Sequence, residues 1–410
     1  MDWSTPFSLF DQSDTQVKIG ASYRLKDRDL AVELLKLQPP TSGPPDGVGT
    51  IRFDPEMLMS PENLGRNVVP LDAGNSGLPY QATDIVGAFY GMLDPRLFTR
   101  LRLVGGLRVE QWDLEVEPGG GAEADPTVRL ETDYLWSGNL TYSVTDAMNF
   151  RLAGYRTVSR PDPREIAPGF FVPVAGECQQ RGNSDLNRTT ILNGDVRWEW
   201  FPNPGELVSL SGFYKDFDDP VVQAIRSRES TCEQTPRNAV SARNIGAEME
   251  VRKNLGFLAD ALTPFSVAGN LTLVEGDVTG NGLDLPVELE LQDQSGLLLN
   301  GSLLYQSPDE SLTASALVNY FSDRVTRYGI FFNSPTGERV KTPDVVERGR
   351  TTLDMKLSKR FGDRLSISLS GRNLTNERGT EIQETDVGPV IVGLSERGIT
   401  GSLSLSYRIR

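Results

Sequence analysis

Residue types that carry chemistry are unevenly represented in this sequence. The 410-residue chain contains 2 Cys and no His. Without His, it cannot form a Ser-His-Asp or Cys-His nucleophile system, a His-ligated zinc site or an imidazole general base. Its 41 basic and 56 acidic side chains give a net charge of −15. Because nucleic-acid binding depends largely on Lys and Arg neutralising phosphates, this charge argues against a nucleic-acid partner.

Carboxylates are the remaining candidates for catalysis, since paired Asp and Glu side chains hydrolyse glycosides without His. Close pairs occur, such as Glu115 with Glu117 and Asp218 with Asp219. In a chain with 56 acidic residues, such pairs arise by chance. A glycosidase also needs two carboxylates positioned about one glycosidic bond. The pairs are therefore interpreted as solvated loop residues, and the sequence predicts no catalytic residue and no enzyme.

One acidic segment has the spacing of a calcium-binding loop. It runs from Asp277 to Gly282, with Glu288 at the twelfth position. Thr279 is a poor third ligand, Pro286 is unfavourable in such a loop, and no helices flank the segment. A turn-rich acidic connection is the simpler interpretation, so no metal or other cofactor is predicted.

The elements that must position these residues follow one repeated pattern, the alternation of apolar and polar residues. Near the C-terminus, Leu403 and Leu405 alternate with Ser402, Ser404 and Ser406. Alternate side chains of a strand point to opposite faces, so each such segment has one apolar and one polar face. The pattern predicts about fifteen strands, near 1–10, 15–37, 80–93, 97–116, 131–145, 148–160, 191–202, 206–225, 239–257, 264–275, 294–306, 311–328, 347–361, 364–376 and 395–410.

The connections between these strands alternate between short and long. Short links rich in turn residues lie at 11–14, 94–95, 145–146, 203–205, 307–309 and 362–363. Long polar loops lie between them, at roughly 38–80, 117–131, 161–190, 226–240, 276–293, 329–346 and 377–393. The chain is therefore predicted to form a meander with a plain rim of short turns and an elaborated rim of long loops.

Two folds place such strands differently. A soluble sandwich or propeller buries its apolar faces, and its strands average about 5–6 residues. A membrane barrel turns apolar residues to lipid, keeps a polar lumen and needs about 9–11 residues per strand. The long segments, with charges at mid-strand, favour an all-β, antiparallel transmembrane β-barrel. Its predicted outward residues are Val17, Ile19, Leu101, Leu103, Leu365, Ile367, Leu403 and Leu405. Its predicted luminal residues are Arg102, Glu248, Lys356, Ser404, Asn139, Asn270 and Asn373.

Five strings resemble the C-terminal barrel portion of TonB-dependent outer-membrane receptors. Residues 155–165 look like the segment containing Ser-Arg-Pro that ends a barrel strand in that family. Residues 371–377 are similar to its penultimate-strand Asn-Leu-Thr motif, and 244–250 to its Gly-x-Glu-x-Glu strand. Residues 398–407 fit its closing strand, and 24–30 are similar to an outgoing strand. The order and spacing of these strings carry the resemblance, which covers nearly the whole chain.

The resemblance implies a barrel of 22 strands, of which about fifteen are recognised here. It also implies a signal peptide, a TonB-contacting box and a plug domain, which are expected to lie outside these 410 residues. The chain, residues 1–410, is therefore expected to be the C-terminal part of a larger barrel. Outer-membrane lipid, the TonB complex acting through the missing plug, and a small-molecule or oligosaccharide ligand are the implied partners.

The two cysteines, Cys178 and Cys232, lie in predicted long loops on the same rim. An oxidising envelope compartment permits disulfides, so a bond between them is predicted, with two isolated thiols as the alternative. No ligand-binding residue is predicted. Acidic loops at 115–133 and 275–293 would attract cationic or metal-complexed ligands, or simply keep the surface soluble.

Three functions remain open at this point. The resemblance implies a receptor in the outer membrane that takes up a scarce solute, such as a siderophore, vitamin or oligosaccharide. A passive outer-membrane porin or an adhesion barrel needs no plug and has the same strand pattern. A soluble all-β carbohydrate-binding or glycoside-hydrolysing protein is the third alternative.

Overall fold

The computed structural model describes residues 2–9, 12–31, 35–38, 69–72, 79–119, 125–171, 178–228, 231–281, 285–333 and 339–409. Much of the predicted loop at 38–80, and 120–124 of the next loop, lie outside these ranges. Within them, no helix has the length and apolar character needed to cross a membrane. In the part of the chain that the structure describes, the one α-helix, α1, is a single turn at Pro163–Ile166, and two 3-10 turns lie at Leu255–Phe257 and Asp260–Leu262.

Strands make up nearly all of the regular structure, and they are numbered here along the chain. They are β1 (Asp2–Leu9), β2 (Gln12–Leu30), β3 (Leu35–Gln38), β4 (Val69–Asp72), β5 (Tyr80–Asp94), β6 (Arg96–Phe98), β7 (Leu101–Pro118), β8 (Thr127–Thr145), β9 (Met148–Ser159), β10 (Phe170–Phe171), β11 (Gln179–Arg181), β12 (Thr189–Trp200), β13 (Leu207–Asp218), β14 (Val221–Arg228), β15 (Thr231–Asn238), β16 (Ser241–Asn254), β17 (Phe265–Thr279), β18 (Glu288–Glu290), β19 (Leu297–Gln306), β20 (Leu312–Phe321), β21 (Arg324–Gly329), β22 (Phe331–Asn333), β23 (Arg339–Lys341), β24 (Val345–Glu347), β25 (Arg350–Phe361), β26 (Leu365–Arg372), β27 (Gly379–Thr385), β28 (Gly388–Ser395) and β29 (Thr400–Tyr407).

The main sheet is an antiparallel meander. Its long strands pair in the order β1, β2, β5, β7, β8, β9, β12, β13, β16, β17, β19, β20, β25, β26 and β29. The short strands β6 and β18 add to it as hairpin partners of β7 and β17. These long strands are the fifteen that the alternation predicts, so the all-β antiparallel fold is confirmed. No pairing joins β1 to β29 among the described residues.

One face of this sheet is apolar and open to the surroundings. Cross-strand partners share a face, and pairs such as Leu357 with Leu369, and Leu369 with Leu403, continue the apolar face across strands. Leu403 is 73% exposed and Leu405 is 70% exposed. None of the eight residues predicted to point outward is buried. The apolar faces therefore do not form the closed core that a soluble sandwich requires.

The opposite face is polar and is here called the luminal face, because it is the face that would line the lumen of a barrel. Asn270, Asn300 and Asn319 lie side by side on β17, β19 and β20, and their amides form a hydrogen-bonded ladder. Ser370 and Ser402 share a hydrogen bond on this face in the same way. The prediction for Asn373 was wrong. It follows β26 in a turn with φ +52° and caps that turn, donating to the carbonyls of Glu377 and Gly398.

A second sheet lies over the elaborated rim. Its eight strands, in the order β10, β11, β15, β14, β21, β24, β27 and β28, come from four of the long connections. Two of its pairings, β11 with β15 and β14 with β21, are parallel. This loop sheet was not predicted. Strands predicted at 206–225 and 311–328 in fact end at Asp218 and Phe321, and the chain then enters the loop sheet.

The buried apolar residues lie where the long strands meet the loop sheet and its connections. One cluster joins Trp112, Leu114 and Val116 of β7 to Ile166 of α1. A second packs residues of β14 and β21 against β16 and β17 and includes Tyr328, which is fully buried. These clusters fix the long connections to the strand ends.

Candidate functional site

A cavity of about 550 Å³ lies on the luminal face beneath the loop sheet. Its wall comes from β9, β12, β13, β16 and β17, and its roof from the connection between β17 and β19. Cross-strand pairing aligns the wall residues, with Asp195 opposite Phe213, and Lys215 opposite Asn244. The roof contributes Gln292, Gln294 and Ser295.

Three polar groups that line this cavity are buried without a hydrogen-bond partner. They are an amide oxygen of Asn244, an amide oxygen of Gln294 and the hydroxyl of Ser295. Ser295 is only 4% exposed. A buried polar group without a partner costs about 1–3 kcal/mol, so native structures usually satisfy such groups with protein, water or ligand. These three groups, on residues that line the cavity, are therefore the candidates for hydrogen bonds to water or to a polar solute.

Charged side chains of both signs also line the cavity. Asp195, Glu248 and Asp293 are acidic, and Lys215 and Arg324 are basic. Arg324 is already paired with Glu347, at 2.6 Å between its guanidinium and the carboxylate. Thr272 donates a hydrogen bond of 3.5 Å to Glu248. The lining is polar and of mixed charge, which suits a hydroxylated or amide-bearing solute better than an apolar one.

Gln292 holds the roof of the cavity against the loop sheet. Its side-chain amide donates to the carbonyls of Gln223 on β14, at 3.0 Å, and Thr326 on β21, at 2.5 Å. Its amide oxygen accepts from the Gln223 backbone N–H at 2.8 Å. One side chain thus closes the gap where β14 and β21 run parallel. Gln292 was not predicted from the sequence, because no motif or periodicity around it in the sequence indicates this role.

Asp323 begins the connection between β20 and β25 and ties its two ends together. It accepts from the Gly349 backbone N–H at 2.6 Å and from the Arg348 guanidinium at 2.7 Å. These two donors hold the pKa of the Asp323 carboxyl below its usual range, since both favour the charged form. The contact brings β21 and β24 into position for the loop sheet.

The residues of the string at 155–165 anchor the connection between β9 and β12. Arg160 bridges Glu110 of β7 and Asp133 of β8. Asp162 caps α1 in a capping box with Glu165, and it also accepts a hydrogen bond from Arg28. These contacts hold the connection near β7 and β8 and do not reach the cavity.

Cys178 and Cys232 are joined by a disulfide in the structure, with their Cα atoms 4.6 Å apart. The bond lies beside the parallel pairing of Gln179 with Glu233. It therefore links the connection after β9 to the connection after β13. The bond stays a prediction for the expressed protein.

The other residues considered for chemistry do not converge on a site. Asp277 and Thr279 lie in β17, and Thr279 pairs with Glu288 of β18, so this segment is a hairpin and not a calcium loop. Gly282 lies outside the described residues. In the described part of the chain, no group of three or more acidic or cysteine side chains is placed to hold a metal ion. Glu115 and Glu117 are exposed, but both lie in β7, so the prediction that they are loop residues was wrong.

Comparison with known proteins identifies the family of the chain. Residues 3–374 match the family model described as TonB dependent receptor-like, beta-barrel. No curated protein sequence matches the chain. Solved structures do match, although their sequence identities are low enough that the likeness shows the fold alone.

Three of these structures illustrate the likeness. A mutant of the ferric enterobactin receptor of Pseudomonas aeruginosa matches with TM-score 0.60 and 17% identity, over 99% of this chain and 53% of that one. The ferric citrate transporter FecA matches with TM-score 0.63 and 12% identity, over 99% and 53%. The copper transporter OprC matches with TM-score 0.63 and 13% identity, over 97% and 54%. The chain spans about half the length of the solved proteins that it matches.

Proposed function

Because the chain belongs to the TonB-dependent receptor-like β-barrel family, we propose that it forms the wall and outer loops of an outer-membrane receptor that takes up a scarce polar solute. The family is one of outer-membrane barrels. The open apolar face supports a position in the bilayer, with the polar face toward a lumen. Residues 1–410 would act as one barrel domain within the receptor.

The observation that carries the proposal is the luminal cavity with its unpartnered Asn244, Gln294 and Ser295. A passive pore needs only an open polar channel. Here the loop sheet and Gln292 form a roof over a wall cavity, an arrangement that suits capture of a solute before passage. We propose that the solute binds beneath this roof through hydroxyl, carbonyl or amide groups.

The class of solute follows from the same groups. Siderophores, vitamins and oligosaccharides all carry many hydroxyl or amide groups, and each class fits the polar lining. The names of the similar structures, which include receptors for ferric enterobactin and ferric citrate, add weight to a metal chelate. Entry of the solute would require the TonB complex, acting through a plug that the family implies.

Uptake by cells tests this proposal. The gene is expressed at its natural locus, and uptake of radiolabelled ferric citrate, cobalamin and maltoheptaose is measured with and without TonB. We expect at least one probe to enter only in cells that contain TonB. Entry at the same rate without TonB would favour the passive porin, and entry of none would contradict the proposed solute classes.

Substitution in the cavity tests the binding site itself. Asn244→Ala removes one unpartnered amide, and we expect it to weaken binding of the transported probe by up to about tenfold, or roughly 1.4 kcal/mol. Asn319→Ala is the matched control, because it removes the same group from the luminal face outside the cavity. Equal affinities for both variants would place the binding site elsewhere.

A further inference from the structure

A groove of about 570 Å³ crosses the apolar face of the main sheet near the plain rim. Its floor is made by small residues, Ala314 and Ala316 of β20, and one edge is formed by Leu374, whose side chain covers Gly371 of β26. Larger residues flank these alanines on the neighbouring strands. Leu303 is the cross-strand partner of Ala316, and Leu357 is the partner of both Ala314 and Leu369. The groove is a consequence of residue size within a continuous sheet.

The surroundings of this groove indicate what occupies it. Its walls are open, with Leu303 42% exposed and Leu369 55% exposed. The two strands beside β20 are about 10 Å apart, which gives room for a hydrocarbon chain. In the proposed function this face lies against the bilayer, so the exposed apolar groove contacts lipid acyl chains. Its polar lining residues, Ser315, Lys356 and Ser370, pair with one another in a row of the opposite face, so the apolar side of the groove offers little to a polar solute.

Cations lie just beyond the groove, at the level of the plain rim. Lys359 stands two residues beyond Leu357 on the same face of β25, about 7 Å further along the strand. Its ammonium donates to the Ser311 hydroxyl at 2.6 Å. Arg360 and Arg364 are exposed, and the Arg360 guanidinium donates to the Glu310 carbonyl at 3.2 Å. The same rim also carries the acidic residues Asp309, Glu310 and Asp363.

We propose that the groove is a binding site for a single phospholipid, an inference that rests on the membrane position in the proposed function. One acyl chain lies over Ala314 and Ala316, beside Leu374. The phosphate lies at the plain rim, within reach of Lys359 and Arg364. The occupant is a phospholipid because the apolar groove and the rim cations follow one another along the same strands, as chain and headgroup do.

Native mass spectrometry of the purified full chain tests the site, with palmitoyl-oleoyl phosphatidylglycerol added as the probe. Ala316→Leu fills the floor of the groove, and Ala314→Leu is a second variant that fills it. Ala247→Leu is the control, because Ala247 lies on the same apolar face between Gly212 and Leu273, outside the groove. We expect one retained lipid in the unaltered chain and in Ala247→Leu, and at least tenfold less in either groove variant.

The headgroup contact has its own variant. Lys359→Gln combined with Arg364→Gln should weaken retention of phosphatidylglycerol severalfold and leave retention of an uncharged diacylglycerol unchanged. Equal lipid retention in the groove and control variants would overturn the proposal. A dimer lost in Ala316→Leu would overturn it too, since a second copy would then be the occupant. If the unaltered chain retains lipid but shows no TonB-dependent uptake, that result would count only against the proposed function.

Discussion

At the scale of single residues, Gln292 has the most consequential set of contacts. It satisfies the Gln223 N–H and two carbonyls where β14 and β21 run parallel. Its neighbours Gln294 and Ser295 present unpartnered groups to the cavity. The side chain that fixes the roof thus lies two and three residues before the groups that we propose bind the solute. No pattern in the sequence predicts this role, because the partners of Gln292 lie 34 to 69 residues away.

Gln292→Ala should therefore loosen the roof. It leaves a backbone N–H and two carbonyls without their partner, at a cost of about 1–3 kcal/mol for a group that stays buried. We expect faster amide hydrogen exchange at Gln223 and along β21, measured by mass spectrometry, because local opening becomes easier. Gln81→Ala, at an exposed position on β5, is the control. Unchanged exchange in both variants would show that Gln292 does not hold the roof.

At the scale of elements, the sequence predicts the long strands well and the loop sheet not at all. Each long strand carries its own period-two pattern, which is a local signal. The strands of the loop sheet have 2 to 8 residues and pair with strands from other connections. The predicted strand at 206–225 breaks because Asp219 adopts φ +52° and Pro220 has no N–H to donate. Such breaks depend on single residues, and the alternation of apolar and polar residues does not reveal them.

The disulfide between Cys178 and Cys232 is expected to stabilise two of these elements together. It closes a separation of 54 residues, for which loop-closure entropy predicts about 4 kcal/mol. Replacing both cysteines with Ser should speed proteolysis of the connections after β9 and β13. Mass spectrometry of non-reduced peptides, from protein exported to the envelope, should find the linked pair. Two free thiols there would refute the bond, whereas cytoplasmic expression is no test because that compartment is reducing.

At the scale of the whole molecule, the two faces of the sheet have opposite tolerance for charge. Leu271 of β17 lies in an apolar row with Met249 and Leu299, whereas the adjacent Asn270 belongs to the luminal amide ladder. Leu271→Arg should cost about 2–4 kcal/mol if the row faces the bilayer midplane. Asn270→Arg should cost much less, because its side chain stays in water.

The difference in stability between the two variants is measured as the amount of folded protein in outer-membrane fractions. Folded protein is recognised on gels by its heat-modifiable migration. We expect a marked loss for Leu271→Arg and little loss for Asn270→Arg. Equal amounts of the two variants would show that neither face contacts lipid. A greater loss for Asn270→Arg would reverse the assignment of the faces.

The central claim is that this sheet is a membrane wall with lipid on one face and an aqueous lumen on the other. Its most direct test is a nitroxide scan of residues 267–272 on β17, in a chain with Cys178 and Cys232 replaced by Ser and held in lipid vesicles. The account predicts that labels at 267, 269 and 271 are reached by oxygen, and those at 268, 270 and 272 by a water-soluble nickel complex. Six labels with no alternation, or labels shielded from both reagents as in a packed core, would contradict it.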